Sequence, residues 1–261
     1  MVIPQIKEKT DADSVSNPIG FLDSIKKVSS LPDVVPKGVI FCYDPRFFKD
    51  ICNTEKTKQY DGFFRNLFYL ERFNNEIAII GSFGIGAPNA VARLEELIAF
   101  GTKNFMSIGS TGSLQKNLEI GDIILCEKAI RDEGTSFHYA KASKYATCNK
   151  EYISEIEDIL RSKKITYHKG TSWTTDAVYR ETRLEIEQYS KEGVLCVDME
   201  ASALITVSRY RNVRFGTLFS VSDSLVTDTW DVNFHSEKLK NSLNTIYDVA
   251  TGVLSAWNSQ K

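Results

Sequence analysis

The chain has 261 residues, with 32 Lys and Arg residues against 34 Asp and Glu residues and a formal net charge of −2 at pH 7. Hydrophobic residues make up 42% of the chain and charged residues 25%, which are ordinary values for a globular protein. This balance lacks the basic excess of a nucleic-acid-binding protein, and the hydrophobic content excludes an intrinsically disordered chain. The length is typical of one large α/β domain or of two small domains.

Membrane and metal signals are missing from the sequence. No stretch approaches the roughly 18 apolar residues that span a bilayer, and the first residues lack the apolar core and cleavage site of a secretory signal. The five cysteines are odd in number and widely spread, with no CxxC pair, so we expect reduced thiols. The three histidines are scattered and predict no metal site. These features favour a cytoplasmic protein that acts on a small molecule, with no nucleic-acid or membrane partner.

Apolar runs alternate with helical periodicity along most of the chain. Residues 1–35 are polar and mixed, and we expect them to form an N-terminal arm before one domain over residues 36–261. The predicted strands cover residues 38–43, 76–81, 104–109, 121–126, 168–173, 193–198 and 214–221. The predicted helices cover residues 89–100, 150–164, 200–210 and 234–257. The alternation predicts a single α/β domain around a largely buried sheet.

Two loops at the ends of predicted strands carry glycines and hydroxyl groups. Residues 81–89 are glycine-rich and precede a helix, where backbone N–H groups and the helix dipole suit an anion. A tight strand-to-helix turn is the alternative explanation. Residues 108–113 combine two glycines with three hydroxyl side chains, which suit a phosphate or a sugar but are also typical of a polar turn.

Carboxylates mark two further strand ends. Asp198 and Glu200 flank Met199 where an apolar strand enters a helix. Acidic residues at such a position either cap the helix or bind sugar hydroxyls while the methionine packs on the sugar. Asp223 follows another apolar strand, where it is either a helix cap or a general acid in a half-buried cleft.

In their order along the chain, these motifs resemble the nucleoside phosphorylase family, which contains the purine nucleoside and uridine phosphorylases. The matching segments are residues 84–88 (GIGAP), 95–98 (EELI), 108–112 (IGSTG), 121–124 (GDII), 132–139 (DEGTSFHY), 197–201 (VDMEA) and 221–223 (VSD). The resemblance implies a single three-layer α/β/α domain with a mixed, partly barrel-like central sheet, so that residues 36–261 form the catalytic domain. It implies cleavage of a nucleoside's N-glycosidic bond by phosphate as co-substrate, with no cofactor and no metal, in a homo-oligomer that is a dimer or a trimer of dimers.

The resemblance also implies roles for individual residues. Met199, Glu200 and Ser110 match the residues that bind the ribose. Asp223 matches the acid that protonates a leaving purine, whereas residues 175–184 lack the Gln-x-Arg of the uridine-cleaving relatives, so a purine nucleoside is implied. The residues implied at the base are Asp198, Thr111, Gly112 and either Val178 or its neighbour Tyr179.

The implied phosphate site departs from the family pattern. Its implied residues are Gly84, Ser110, Arg46 and Arg65, of which Arg65 would serve a neighbouring subunit. Tyr43 stands where the family's Gly-Asp-Pro-x-Arg loop has glycine, Arg46 comes one position early, and Ser107 stands where many relatives have arginine. Bidentate guanidinium contacts to a dianion are hard to replace. Three alternatives therefore stay open: a uridine phosphorylase, a nucleoside hydrolase of the same superfamily, and a nucleoside-binding member without turnover.

Overall fold

The computed structural model describes residues 6, 8–227 and 229–258, in which the chain forms eleven strands and seven α-helices. The strands are β1 Gly38–Cys42, β2 Thr57–Gln59, β3 Leu67–Leu70, β4 Ile77–Ile80, β5 Asn104–Ser113, β6 Ile123–Asp132, β7 Tyr145–Thr147, β8 His168–Thr175, β9 Cys196–Asp198, β10 Arg214–Ser224 and β11 Asp231–Val232. The helices are α1 Pro18–Ile25, α2 Pro45–Thr54, α3 Ala87–Phe100, α4 Lys150–Ser162, α5 Arg183–Lys191, α6 Ala201–Tyr210 and α7 Glu237–Asn258.

Five strands close into a barrel-like sheet at the centre of the molecule. Strands β10, β6, β8, β9 and β5 are neighbours in that order, and a parallel pairing of β5 with β10 completes the ring. Strands β1, β4, β3 and β2 extend the sheet beyond β5. Parallel and antiparallel pairs both occur, since β10 runs antiparallel to β6 while β6 and β8 are parallel. The predicted mixed, partly barrel-like sheet is confirmed.

Helices cover this sheet in two groups. Helix α3 packs against α1 and α6, whereas α7 packs across β1, β5 and β10 and against α4. Most buried apolar side chains belong to one continuous core between these layers and the sheet. This is the three-layer α/β/α arrangement that the family resemblance implies, and it agrees with the alternation of strands and helices. None of the described helices combines the length and apolar composition that crossing a bilayer requires.

The carboxyl ends of β1, β5 and β10 meet at one edge of the sheet. These three strands are parallel and lie side by side in that order. Strand β9 runs antiparallel to β5 and pairs Val197 with Gly112. The ladder of β10 is irregular between Val221 and Asp223, after which Asp223 also pairs with Gly112. Such irregularities re-aim side chains near binding sites. Three chain segments that are distant in sequence therefore converge at this edge.

The predicted strands and helices are present, but four strands are longer than the apolar runs predicted. Strand β5 continues to Ser113, β6 to Asp132, β8 to Thr175 and β10 to Ser224. Backbone pairing does not require apolar side chains, so the ladders extend through polar residues that the hydrophobic pattern excluded. The strand expected at residues 193–198 is shorter and comprises only Cys196–Asp198.

Three short helices were missed, and each begins with a side-chain cap. Asn17 caps α1, Asp44 caps α2, and Thr182 forms a capping box with Glu185 at the start of α5. Inside the expected arm, Leu22 is only 3% exposed and belongs to the main core. Helix α1, which lies within the expected arm, therefore contacts the main core through Leu22. The domain boundary at residue 36 stays a prediction, and residues 1–5, 7 and 259–261 lie outside the described residues.

Candidate active site

A cavity of about 240 Å³ opens at the edge where β5, β9 and β10 end. Its wall combines the polar end of β5, the turn between β9 and α6, the end of β10 and residues from the segments 178–181 and 230–234. Eight of the twelve site residues expected from the sequence line it: Ser110, Thr111, Gly112, Val178, Asp198, Met199, Glu200 and Asp223. This volume is below the usual range for drug-sized ligands, so the open cavity suits a small molecule.

A larger cavity of about 630 Å³ lies between residues 9–21 and helix α3 and includes none of the expected site residues. Glu95, Glu96 and Arg211 of its lining are already paired within the protein. Arg211 donates to both oxygens of Glu95 at 2.8 Å, and Arg93 pairs with Glu96 at 2.6 Å. We therefore assign the candidate site to the smaller cavity, where functional carboxyl groups converge.

Glu200 is held at the start of α6 by the glycine-rich loop. Its Oε1 accepts a hydrogen bond of 2.6 Å from the backbone N–H of Gly86. Burial raises the pKa of Glu200 to about 8, and the negative charge of Asp198 adds to this effect. Gly86 has a φ of 95° and a ψ of 151°, a conformation that is essentially restricted to glycine. The loop therefore contributes a fixed N–H donor to the carboxyl expected at the sugar.

Asp198 lines the cavity, but internal hydrogen bonds occupy both of its oxygens. Oδ1 accepts from the backbone N–H groups of Glu200 at 2.8 Å and Ala201 at 2.7 Å. Oδ2 accepts from the hydroxyl groups of Ser172 and Thr174. These contacts fix the first turn of α6 and so orient Glu200, which is the capping role left open from the sequence.

Asp223 accepts hydrogen bonds at both carboxyl oxygens. The Ser222 hydroxyl donates to Oδ1 at 2.6 Å, and the indole N–H of Trp230 donates to Oδ2 at 2.7 Å. Space beside this carboxyl is tight, because a Cβ at Gly112 would approach Oδ2 of Asp223 to 3.1 Å and Val197 Cγ1 to 3.2 Å. The close pairing of the β5, β9 and β10 ends thus positions Asp223 at the cavity.

Two hydroxyl side chains of β5, those of Thr111 and Ser110, have different roles. Thr111 donates its hydroxyl hydrogen to the carbonyl of Val197 at 2.6 Å and so joins β5 to β9. Ser110 also lines the cavity, but its side chain is exposed there. Ser110 is therefore the hydroxyl of this strand that can reach a ligand.

At the expected base end, Val178 lines the cavity, whereas Tyr179 does not and is 88% exposed. The same wall includes Glu181 and Trp230, which the motif comparison did not select. Burial and the negative charge of Asp223 raise the pKa of Glu181 to about 7. Glu181 directly precedes the Thr182 cap of α5, so from sequence it is indistinguishable from an ordinary acidic residue at a helix start.

Of the residues expected at the phosphate, only Ser110 lines this cavity. Arg46 is not part of the lining, although it contacts the ring of His235 and donates to the carbonyl of Phe234, a lining residue, at 3.2 Å. Arg65 is exposed, and its side chain has no ion pair in the described part of the chain. Gly84 has a φ of 92° in the glycine-rich loop but does not line the cavity.

The two residues that depart from the family's phosphate pattern contact each other. The Ser107 hydroxyl donates to the phenol oxygen of Tyr43 at 3.3 Å. The Tyr43 ring packs edge-on against Phe83, and a Cβ at Gly109 would lie 3.3 Å from it. Burial and the nearby Glu200 raise the pKa of Tyr43 well above its ordinary value, so the phenol is neutral. A neutral Ser107 hydroxyl in contact with Tyr43 therefore stands where many relatives have arginine.

The cavity is acidic overall. Four carboxyl side chains line it, those of Glu181, Asp198, Glu200 and Asp223, and no Lys, Arg or His of the described residues does so. No group of three or more His, Cys, Asp or Glu side chains in the described segments is arranged to hold a metal ion. The four carboxyl groups can form hydrogen bonds to a ligand and transfer protons.

A closed mixed sheet with a carboxylate-lined cavity at its strand ends defines an α/β protein that binds a small polar molecule. The chain belongs to the phosphorylase superfamily, whose family model matches residues 37–255. A guanosine phosphorylase of Halorubrum lacusprofundi is 29% identical over 147 residues, which are 56% of this chain and 61% of that relative. A uridine phosphorylase of Thermococcus kodakarensis is 28% identical over 195 residues, 70% of this chain and 69% of that relative.

A solved structure shares the fold. The purine nucleoside phosphorylase of Toxoplasma gondii superposes with a TM-score of 0.73 at 21% identity, covering 87% of this chain and 93% of that one. The family's relatives named purine nucleoside and uridine phosphorylase are pentosyltransferases, and both kinds match this chain at comparable identity. The resemblance read from the sequence motifs is confirmed at the level of the family and the fold.

Proposed function

We propose that this protein cleaves the N-glycosidic bond of a purine nucleoside with phosphate, giving the free base and a pentose 1-phosphate. The observation that carries the proposal is the convergence of Asp223, Glu200 and Met199 on one small cavity. In this reaction the bond from C1′ to the base nitrogen breaks, and a phosphate oxygen bonds to C1′. The pentose passes through an oxocarbenium-like state while the base carries away the bonding electrons.

The residue roles follow from what each group needs. Glu200 and Met199 hold the ribose, with Glu200 accepting from its hydroxyls and Ser110 contacting sugar or phosphate. Asp223 donates a proton to the purine as negative charge accumulates on the leaving base. General acid catalysis of this kind typically increases the rate by about 10²–10⁴-fold. Val178 packs on the base, Thr111 and Gly112 shape its pocket, and Asp198 acts through Glu200. Tyr179 is less suited than Val178 to contact the base, because its side chain is exposed and does not line the cavity.

The proposed phosphate site depends on a second subunit. Arg65 is exposed and unpaired among the described residues, so it is available to a neighbouring copy of the chain. A homo-oligomer, either a dimer or a trimer of dimers, would bring this guanidinium to an anion that the glycine-rich loop with Gly84 also contacts. Arg46 would join only after releasing Phe234 and His235. Phosphate is the only co-substrate proposed, with no cofactor, in the cytoplasm, where the five free cysteines would stay reduced.

A second candidate uses water as the acceptor. Its support is the Tyr43–Ser107 pair together with a cavity wall that has four carboxyls and no cation among the described residues. Such a wall repels a dianion but admits water. The uridine-cleaving alternative has less support because Glu181 and Asp223, rather than a Gln-x-Arg pair, line the expected base end.

Base release from inosine, guanosine, adenosine and uridine, measured with and without phosphate, tests the proposal. We expect purine release that requires phosphate and yields pentose 1-phosphate in equal amount. Purine release at the same rate without phosphate, with free pentose as product, would instead establish the water acceptor. Binding of nucleosides with no release from any of them would establish the non-catalytic alternative.

A further inference from the structure

Glu181 is a carboxyl group without a partner at the wall of the cavity. It directly precedes Thr182, the N-cap of α5, and is partly buried. Within the described parts of the chain its side chain has no hydrogen bond and no ion pair, whereas the nearby Glu185 is engaged with the Thr182 hydroxyl. The other carboxyls of the wall, Asp198, Glu200 and Asp223, each accept at least one hydrogen bond.

A partly buried carboxyl without a donor is unfavourable, since its desolvation is not compensated. The charges that raise the pKa of Glu181 are those of Asp223 on β10 and Glu185 on α5, and both are acidic, so they add to the cost of burial. The Trp230 N–H, a donor that also lines the wall, already donates to Asp223. A ligand that supplies N–H donors at this wall would remove the penalty.

The chemistry of a carboxylate discriminates among bases. Its two oxygens accept two parallel N–H bonds, as they do from a guanidinium fork. Guanine offers that pair, because its ring N1–H lies beside the exocyclic 2-amino group. Adenine presents a ring-nitrogen acceptor beside its amino group, and uracil presents one N–H between two carbonyl oxygens. Both of these edges place acceptor lone pairs against the carboxylate.

We propose that Glu181 is a specificity-determining residue that binds the paired N–H donors of a guanine-type base. This inference rests on the proposed purine nucleoside cleavage and adds the base that the site prefers. Asp223 and Glu181 then contact different edges of the same ring system, Asp223 at the five-membered ring and Glu181 at the six-membered ring. Val178, which lines the same wall, contacts the face of the ring.

The test compares Glu181→Gln with Glu187→Gln, an exposed glutamate on the same helix. Glutamine keeps the size of the side chain but replaces one acceptor by a donor, so one of the two bonds to guanine is lost. Because a hydrogen bond to a charged group contributes substantially to binding free energy, we predict that Glu181→Gln lowers kcat/KM for guanosine by about 10- to 100-fold. Adenosine kcat/KM should stay the same or rise, and Glu187→Gln should match the wild type for both nucleosides.

Two outcomes would overturn the proposal without touching the function on which it rests. One is wild-type cleavage of purine nucleosides with a guanosine-to-adenosine ratio that Glu181→Gln leaves unchanged. The other is calorimetric binding of free guanine that is equal in the wild type and Glu181→Gln. If the wild type cleaves no nucleoside, the proposed function fails, yet the guanine titration still decides the role of Glu181.

Discussion

Proton transfer at the base depends on how Asp223 is held. Ser222 and Trp230 each donate to one of its oxygens, and Gly112 leaves room for the carboxyl at the strand junction. The carboxyl is 6% exposed, so it meets a ligand in the cavity rather than bulk solvent. Two donors orient the group, and both Ser222 and Trp230 line the cavity.

Asp223→Asn should lower kcat for purine cleavage by about 10²–10⁴-fold, because the amide keeps the shape but cannot protonate the base. Nucleoside binding measured by calorimetry should change little. Asp231→Asn, an exposed aspartate on the adjacent strand, is the matched control and should behave as the wild type. Unchanged turnover in Asp223→Asn would show that another group supplies the proton.

The protonation of Glu200 links the candidate site to the free energy of unfolding. Its pKa is about 8 in the folded protein against an ordinary value of 4.5, so the folded state retains a proton that the unfolded chain has lost. The contribution of Glu200 to stability is present below pH 4.5 and is lost as the pH rises through 8. Glu200→Gln has no such titration, so at pH 8.5 it should be more stable than the wild type by on the order of 1–3 kcal/mol.

The measurement is denaturant unfolding of both proteins at pH 5 and pH 8.5. The difference in unfolding free energy between the variant and the wild type should increase with pH, while nucleoside binding is weakened at both values. Glu181 titrates identically in both proteins and cancels in the comparison. A difference that stays constant with pH would contradict the raised pKa of Glu200.

At the scale of elements, hydrophobic periodicity predicted β1, β4, α3, α4, α6 and α7, because each is a long or fully apolar segment. It missed α2 and α5, whose starts are set by a single cap and a capping box rather than by an apolar stripe. It also ended β5 and β10 too early, and the residues beyond those apolar runs, such as Ser110 and Asp223, are the ones that line the cavity. Strand ends that bind a polar ligand carry polar side chains, so hydrophobic periodicity does not detect the part of the strand that lines the site.

Motif order predicted eight of the cavity's lining residues but none of their contacts. Those residues line the cavity because they lie in or shortly after the ends of strands that the sheet brings together. The Tyr43–Ser107 contact and the place of Glu181 arise between segments more than forty residues apart in the chain. Local patterns carry no information on such pairings, which the closed sheet alone determines.

The glycine-rich loop gives an element-scale prediction. Gly86→Ala forces a side chain into a conformation restricted to glycine, although no atom lies within 4 Å of the added Cβ, so the loss of stability should be about 1–3 kcal/mol. Because the Gly86 N–H holds Glu200, KM for the nucleoside should also rise. Gly252→Ala in α7 is the control, where the new Cβ meets Ile159 at an ordinary 3.4 Å and stability should not fall. Equal urea midpoints for the two variants would contradict this account of the loop.

For the whole molecule, the net charge of −2 conceals an uneven distribution. Four carboxyls face the cavity, while Arg65 is exposed away from it. If a second copy supplies this arginine, Arg65→Ala should raise KM for phosphate at least about tenfold and leave nucleoside binding unchanged. Arg161→Ala, an exposed arginine on α4, serves as the control. A monomer by light scattering that still requires phosphate would rule out this role.

Bond cleavage at a purine nucleoside is the claim on which the other assignments depend. Its most direct measurement is chromatographic detection of free base after incubation of the protein with guanosine, inosine or uridine in phosphate buffer. We predict release of guanine and hypoxanthine, with uracil released far more slowly. Release of uracil alone, or of no base from any nucleoside, would contradict the account.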